Sequence, residues 1–128
     1  MPVTKRARWI GWILSILVSL MFLMSGVMKF AGGKQVEEGM AHLGVPASIL
    51  FALGILELTC IVIYLIPATA VLGAILMTGY VGGVIMTHWR VGDPVHVPII
   101  LGIVIWLGLY LREERLRELL PLIRGRSL

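Results

Sequence analysis

Four apolar stretches constrain the fold of this chain more than any other feature of its sequence. A hydrocarbon core about 30 Å thick is crossed by a helix of about 20 apolar residues, and the stretches have close to that length. Hydrophobic residues make up 59% of the chain and charged residues only 14%, which excludes an ordinary soluble domain. We predict an all-α membrane protein, a single domain over residues 1–128. Its four-transmembrane-helix bundle would comprise helices at residues 9–30, 47–66, 68–88 and 95–111.

The first stretch has a second interpretation, as a signal peptide. Lys5, Arg6 and Arg8 precede it, and the small residues 31–33 that follow it would suit a cleavage site. The apolar core of a signal peptide usually has only about 7–15 residues, however, and residues 9–30 form a longer run. A membrane span is therefore favoured.

Glycine is concentrated in residues 72–93, which cover most of the third span and the start of the loop that follows it. At 100° per residue, its small and polar residues fall on two opposite faces of a helix. One face carries Gly73, Tyr80, Gly83 and Thr87, and the other carries Ala74, Thr78 and Gly82. Because small residues let helix backbones approach closely in lipid, we predict that this helix packs tightly between two neighbours.

Two further helices are predicted outside the spans. Residues 35–43 have the pattern of a short amphipathic turn within the first loop. Residues 112–128 alternate leucines with arginines and glutamates at helical spacing, which is typical of an amphipathic helix lying on a membrane surface. The predicted bundle therefore ends in a C-terminal interfacial amphipathic helix.

The distribution of lysine and arginine predicts the orientation. The N-terminal segment and the tail together carry eight basic residues, whereas the opposite side carries Lys29, Lys34 and Arg90. Basic residues are enriched on the cytoplasmic side of a membrane, so both termini should be cytoplasmic in a plasma membrane protein. Since the positive charges flank apolar spans, we expect the lipid bilayer as the partner of this +4 chain and exclude nucleic acid.

Glu57 is the most informative single residue, because it is the only charge in the second span. An ionised carboxylate within a membrane is costly unless it is paired, hydrated or protonated, so Glu57 is a candidate for binding a proton or a ligand. The alternative is a structural glutamate, neutral or hydrogen-bonded to Tyr80 or Thr78. Lys29 has a stem long enough to reach down toward Glu57, but we expect it to extend toward the headgroups instead.

Polar residues gather at the predicted outer side, above Glu57. Arg90 and Asp93 should form a loop salt bridge or a cap more readily than a catalytic pair. His88 and His96 flank the same loop, but no facing histidine pair lies deeper, so neither haem nor a metal site is predicted. The single Cys60 excludes a disulfide framework. The predicted catalytic residues are Glu57, His88 and Tyr80, and the predicted ligand-binding polar mouth consists of Lys29, Arg90, Asp93 and His96.

Four short motifs, in their order and spacing, resemble the DoxX-like family. They are Ser25-Gly26 with Lys29, Gly54 with Glu57, Pro67 with Thr69, and the string of residues 72–93. The resemblance implies a small four-helix membrane protein, in a family whose namesake is a small subunit of a membrane thiosulfate:quinone oxidoreductase. It also implies a quinone as the candidate cofactor and a redox protein as a candidate partner.

Three functions remain open from the sequence. The first is an integral subunit or accessory of a quinone-linked redox system, in which the buried carboxylate handles protons or quinone. The second is a small proton-coupled carrier or channel, which would need to form a homo-oligomer. The third is a membrane scaffold without chemistry. Whether the chain is an enzyme or a non-catalytic subunit is also left open.

Overall fold

The computed structural model describes residues 4–114 and 116 of the chain. Within them lie five α-helices joined by short turns. The helices are α1 (Lys5–Ala31), α2 (Lys34–Leu43), α3 (Leu50–Leu65), α4 (Ala70–Arg90) and α5 (His96–Arg112). No strand occurs among these residues, and the predicted all-α class is confirmed. Each of the four predicted spans overlaps one of the long helices, and the amphipathic turn predicted at residues 35–43 is α2.

Local sequence signals explain where these helices begin and end. Thr4 caps α1, since its hydroxyl accepts a hydrogen bond of 3.1 Å from the backbone N–H of Ala7. Gly44 ends α2 in the left-handed conformation, with φ at 75°, which a residue without a Cβ adopts readily. Pro67 opens the 3-10 turn before α4, where its missing N–H is not needed. The turn between α3 and α4 is consequently very short.

The four long helices form an antiparallel ring in the order α1, α3, α4, α5. Helix α1 packs against α3 and α5, and α4 packs against the same two helices from the other side. The short helix α2 lies at the end of the bundle where α1 and α4 finish, and we call this the α2 end. The other end, where α1 and α4 begin, is called the terminal end.

The interior of the ring is closed by an apolar core and by close backbone contacts. A Cβ atom on Gly11 would lie 2.7 Å from the backbone nitrogen of Arg112, so α1 and α5 touch backbone to backbone there. The core side chains come from all four long helices. They include Val18, Phe22, Cys60, Ile61, Tyr64, Ala74, Met77, Val81, Ile105 and Leu109.

Helix α4 packs between two neighbours as predicted, but most of its glycines do not make those contacts. Only Gly73 meets a neighbouring backbone, whereas a Cβ on Gly79, Gly82 or Gly83 would find no atom within 4 Å. The buried residues that contact α3 and α5 are instead Ala70, Gly73, Ala74, Met77 and Val81. Close packing at the two small faces is therefore confined to Gly73 and Ala74 in the first part of α4, because small side chains permit close approach but do not enforce it.

The exterior of the bundle is apolar. Large hydrophobic side chains such as Trp9, Met24, Phe51 and Trp89 are exposed along the outside of the helices, a surface that suits contact with lipid. Two helical segments, Lys5–Ala31 and Pro67–Arg90, are long and apolar enough to cross a membrane. Helices α3 and α5 are shorter apolar helices.

The predicted C-terminal interfacial helix lies mostly outside the described residues. For its first residue, Arg112, the prediction of an interfacial position is wrong, because Arg112 is the last residue of α5 and is buried. Its guanidinium donates to the carbonyl of Tyr64 at 2.7 Å and lies 4.1 Å from the ring centre of Trp12. The partners of the Arg112 guanidinium are therefore a backbone carbonyl and an aromatic ring inside the bundle, in place of the lipid headgroups that were predicted.

Candidate functional site

A buried ion pair links α1 and α3 near the α2 end. The Lys29 ammonium donates to Oε1 of Glu57, and the side chains are only 9% and 1% exposed, respectively. The expectation that Lys29 extends toward the headgroups is wrong. Helix α1 presents Lys29 on the face that packs against α3, and a carboxylate buried there without a counter-charge would be costly. The charge on Glu57 therefore determines where the lysine side chain lies.

Tyr80 and Ser25 complete a polar cluster around the same carboxylate oxygen. The Tyr80 hydroxyl donates to Oε1 of Glu57, and the Ser25 hydroxyl donates to it at 3.1 Å. Lys29 also donates to the Ser25 hydroxyl at 2.7 Å. We call these four residues the Glu57 cluster. Three helices, α1, α3 and α4, are thus connected through one carboxylate oxygen.

Of the two hydrogen-bond partners proposed for Glu57, Tyr80 is the one that the structure supports. Thr78 is directed elsewhere: its hydroxyl donates to the carbonyl of Ala74 and accepts from the indole N–H of Trp106, both at 2.7 Å. The Tyr80 ring is positioned by Phe22 of α1, with 5.7 Å between the ring centres. This contact orients the phenol toward α3.

Close packing of α1 on α3 brings Lys29 within reach of Glu57. Gly54 lies one turn before Glu57, and a Cβ at that position would come within 2.9 Å of the Phe30 ring. The absence of a side chain lets α1 approach α3 one helical turn away from the ion pair. The sequence pattern of glycine followed by glutamate thus has a packing explanation in this fold.

A cavity of about 410 Å³ lies beside the Glu57 cluster at the α2 end. Its polar lining comes from Ser25, Lys29, Tyr80, Thr87 and His88. Its apolar lining comes from Met40, Leu43, Val45, Ile49, Leu53 and Val84, and the bare backbone of Gly79 and Gly83 forms another part of the wall. Glu57 does not line the cavity itself, but it accepts hydrogen bonds from two lining residues, Lys29 and Tyr80.

Asp93 links two histidines above the cavity. Its Oδ1 lies 3.0 Å from Nε2 of His42 in α2, and its Oδ2 lies 3.2 Å from Nδ1 of His88 in α4. Of the two roles predicted for Arg90, the structure shows the cap and not the salt bridge with Asp93, because Arg90 donates to the carbonyl of Leu43 at the end of α2. That carbonyl is at the negative end of the α2 dipole, which attracts a cation.

The carboxyl of Asp93 is outside the helices, and its pKa is lowered. Hydrogen bonds from His42 and His88 favour the ionised form and hold this pKa below its ordinary value of 3.8. A lowered pKa stabilises the fold above the ordinary value, and that contribution is lost only as the pH falls through the lowered pKa. The link to α2 therefore persists through mildly acidic conditions.

The structure brings together part of the site that the sequence predicted. Lys29, Tyr80 and His88 line one cavity, with Glu57 behind it. His96 is exposed at the start of α5 and does not line this cavity. The sequence reasoning missed Ser25 as a partner of Glu57 and His42 as a partner of Asp93. The available signals were the position of Ser25 one turn before Lys29 and that of His42 in the last turn of α2.

A second polar group connects the helices at the terminal end. The Tyr64 hydroxyl donates to the carbonyl of Ile105 at 2.6 Å and lies 3.2 Å from the Ser15 hydroxyl. Arg112 donates to the Tyr64 carbonyl. Among the described residues, no group of three His, Cys, Asp or Glu side chains is placed to hold a metal ion. The polar groups at this end fix the packing of α1, α3 and α5.

Comparison with known proteins gives one match. The model of the DoxX-like family matches residues 13–109, which contain the whole Glu57 cluster as well as His42, His88 and Asp93. Neither a curated protein nor a solved structure matches the chain.

Proposed function

This chain belongs to the DoxX-like family, and from that premise we propose that it is an integral subunit or accessory of a quinone-linked redox system. In this proposal the cavity at the α2 end binds the quinone ring, and Glu57 exchanges protons with it. All four long helices span the plasma membrane, and electrons reach the quinone from a redox partner protein. The chain itself contributes the binding site and the proton-carrying groups.

The observation that carries this proposal is the two-sided lining of the cavity. One side is polar, formed by Lys29, Tyr80 and His88, and the other side is aliphatic. Lys29 keeps one N–H for a ligand beside its bonds to Ser25 and Glu57. The Tyr80 O–H, which is given to the ionised Glu57, becomes available to a ligand when Glu57 is protonated. A quinone has the matching character, since its two carbonyl oxygens accept hydrogen bonds and its ring and tail are apolar. The volume of about 410 Å³ is within the usual range of small-molecule sites.

Proton handling follows from the position of Glu57. Reducing a quinone to a quinol consumes two electrons and two protons, so the site must deliver protons where water has little access. Tyr80 touches both the cavity and the Glu57 carboxylate and would pass protons between them. Lys29 balances the negative charge that Glu57 carries after it has given up a proton.

Quinone binding is the direct test. We expect the purified protein in lipid nanodiscs to bind a short-chain quinone, and Tyr80→Phe or His88→Ala to weaken that binding about fivefold each. The reason is that each variant removes one hydrogen bond worth about 1 kcal/mol, and about 1.4 kcal/mol corresponds to tenfold in Kd. The matched control is His96→Ala, at a histidine outside the cavity. Equal Kd values for all four proteins, or no binding by any, would refute the site.

Glu57→Gln separates proton transfer from structure. The amide keeps the shape and still accepts hydrogen bonds from Lys29 and Tyr80, but it carries no ionisable proton and leaves Lys29 without a counter-charge. We therefore expect lower abundance in the membrane and a loss of respiration well beyond that loss of abundance, in a strain that depends on this protein. Full respiration would favour a scaffold without chemistry. Proton flux through proteoliposomes that contain no quinone would favour a proton-coupled carrier.

The proposed orientation places the α2 end outside the cell and both termini in the cytoplasm. Of the basic residues, Lys29 and Arg112 are used inside the bundle, and the remaining seven and two still differ in the direction that favours cytoplasmic termini. In a Cys60→Ala background, we expect a membrane-impermeant maleimide added to intact cells to label Lys34→Cys but not Arg8→Cys. The reverse pattern would invert the topology.

A further inference from the structure

We infer that His88, Asp93 and His42 form a proton relay between the cavity at the α2 end and the water outside the bundle. This inference rests on the proposed function, because it supplies the route by which protons reach the quinone site. It assigns roles to His42 and Asp93 that depend on direct contacts of the folded chain.

The three side chains form an unbroken chain of contacts. His88 lines the cavity, and its Nδ1 lies 3.2 Å from Oδ2 of Asp93. The other oxygen, Oδ1, lies 3.0 Å from Nε2 of His42. These distances are within hydrogen-bond range, so a proton can cross each contact without an intervening water.

His42 is the most exposed member of the chain of contacts. The side chain of Asp93 is 28% exposed, that of His88 is 34% exposed, and that of His42 is 57% exposed. Because Nδ1 of His88 faces Asp93, its Nε2 remains for exchange with a cavity ligand or water. On His42, Nδ1 remains for exchange with external water. Each imidazole therefore has one nitrogen for Asp93 and one for its own side of the relay.

One proton moves outward in balanced steps. His88 takes a proton at Nε2 from the cavity and gives its Nδ1 proton to Asp93. Asp93 passes that proton to Nε2 of His42 in its Nδ1–H tautomer, and His42 releases its Nδ1 proton to water. Each imidazole is then in the Nε2–H tautomer, and no net charge remains. Because both rings are accessible to water, each regains its starting tautomer by taking one proton from water at Nδ1 and losing one to water from Nε2. The same steps in reverse carry a proton inward.

The charged surroundings suit this role. The guanidinium of Arg90 on α4 donates a hydrogen bond to the Leu43 carbonyl and does not form an ion pair with Asp93. Among the other charged groups of α2, Lys34 and Glu37 lie in its first turn, whereas Glu38 lies one helical turn before His42 on the same face. On α5, His96 is exposed. Two hydrogen bonds keep the pKa of Asp93 low, so its carboxylate can stabilise a proton on either neighbouring imidazole.

A purely mechanical role for this link is less satisfactory. Arg90 already fastens α2 to α4 through the carbonyl of Leu43, and the apolar side chains of Met40 and Leu43 border the cavity. Holding α2 in place does not require two imidazoles around one carboxylate. A mechanical role would also leave unexplained why one imidazole lines the cavity and the other is exposed.

The relay is tested by His42→Gln, Asp93→Asn and, as the matched control, His96→Gln. Each is measured for abundance, for Kd of a short-chain quinone in nanodiscs, and for respiration of intact cells of the dependent strain. Glutamine at position 42 keeps a hydrogen bond to Asp93 but carries no proton. We expect His42→Gln and Asp93→Asn to reduce respiration at least tenfold, with Kd within twofold of wild type and no change in the control.

Chemical rescue distinguishes a proton relay from a contact that only holds α2 in place. Imidazole added to the medium is expected to restore much of the respiration of His42→Gln, because it can protonate and deprotonate Asp93 in place of the missing side chain. Unchanged respiration in Asp93→Asn, or a loss that imidazole does not restore, would overturn the relay. Absence of quinone binding by the wild type, with imidazole rescue intact, would instead refute the quinone site and leave the relay standing.

Discussion

Lys29→Met is expected to destabilise the bundle by about 3–5 kcal/mol, because it removes the counter-charge of a buried carboxylate. Glu57 is only 1% exposed, and the ammonium of Lys29 is its one cationic partner among the described residues. The free energy of unfolding would be measured by titrating SDS into mixed micelles. Lys34→Met is the matched control, since Lys34 is exposed at the start of α2 and should change stability by no more than about 0.5 kcal/mol.

The double variant Lys29→Met/Glu57→Met distinguishes a costly unpaired charge from lost packing. Replacing both members of a buried ion pair by apolar residues is often neutral or even stabilising. We therefore expect the double variant to recover most of the stability that Lys29→Met loses, with a coupling free energy well above 1 kcal/mol. Additive effects of the two single substitutions would show that the pair contributes no mutual stabilisation.

Gly73→Ala is expected to destabilise the bundle by about 3 kcal/mol or more, the upper end of the range for overpacking. A Cβ at this position would lie 2.4 Å from both Cα and the backbone nitrogen of Tyr64. Backbone atoms cannot rotate out of the way, so α3 and α4 would have to separate. Tyr64 also bonds the carbonyl of Ile105, and the displacement would therefore extend to α5.

Gly83→Ala is the matched control on the same helix. No atom lies within 4 Å of the position its Cβ would take, and alanine favours a helix over glycine by about 1 kcal/mol. We expect stability equal to or slightly above that of wild type by the same SDS titration. Because Gly83 lines the cavity, this variant should also narrow the proposed quinone site. Similar losses for Gly73→Ala and Gly83→Ala would contradict the packing described for α4.

Local patterns were sufficient to predict the helices and much of their inward faces. At 100° per residue, Gly54, Glu57, Ile61 and Tyr64 fall on one side of the second span, and all four are buried in α3. Gly11, Ser15, Val18 and Phe22 likewise recur at spacings of four and three, which places them on one face of α1, and all four are buried. These features depend on 3.6 residues per turn and on hydropathy, which are properties of neighbouring residues in the chain.

Contacts between distant segments required the tertiary structure. The sequence could not decide whether Lys29 reaches headgroups or Glu57, because the answer depends on how closely α1 approaches α3 at Gly54. Nor could it show that Asp93 pairs with His42 instead of Arg90, since that contact forms only once α2 lies across the end of α4.

The glycines of α4 also show which features local patterns predict and which require the tertiary structure. Their spacing revealed which faces could accept a close neighbour, but only the arrangement of the ring shows that Gly73 touches Tyr64 while Gly83 borders a cavity. The sequence alone determined the helical segments, the burial of Glu57 and the inward sides of α1 and α3, because those follow from local periodicity and from the cost of placing charge in an apolar span. The tertiary structure decided which charges pair and where space remains, because both depend on distances between helices that no local pattern encodes.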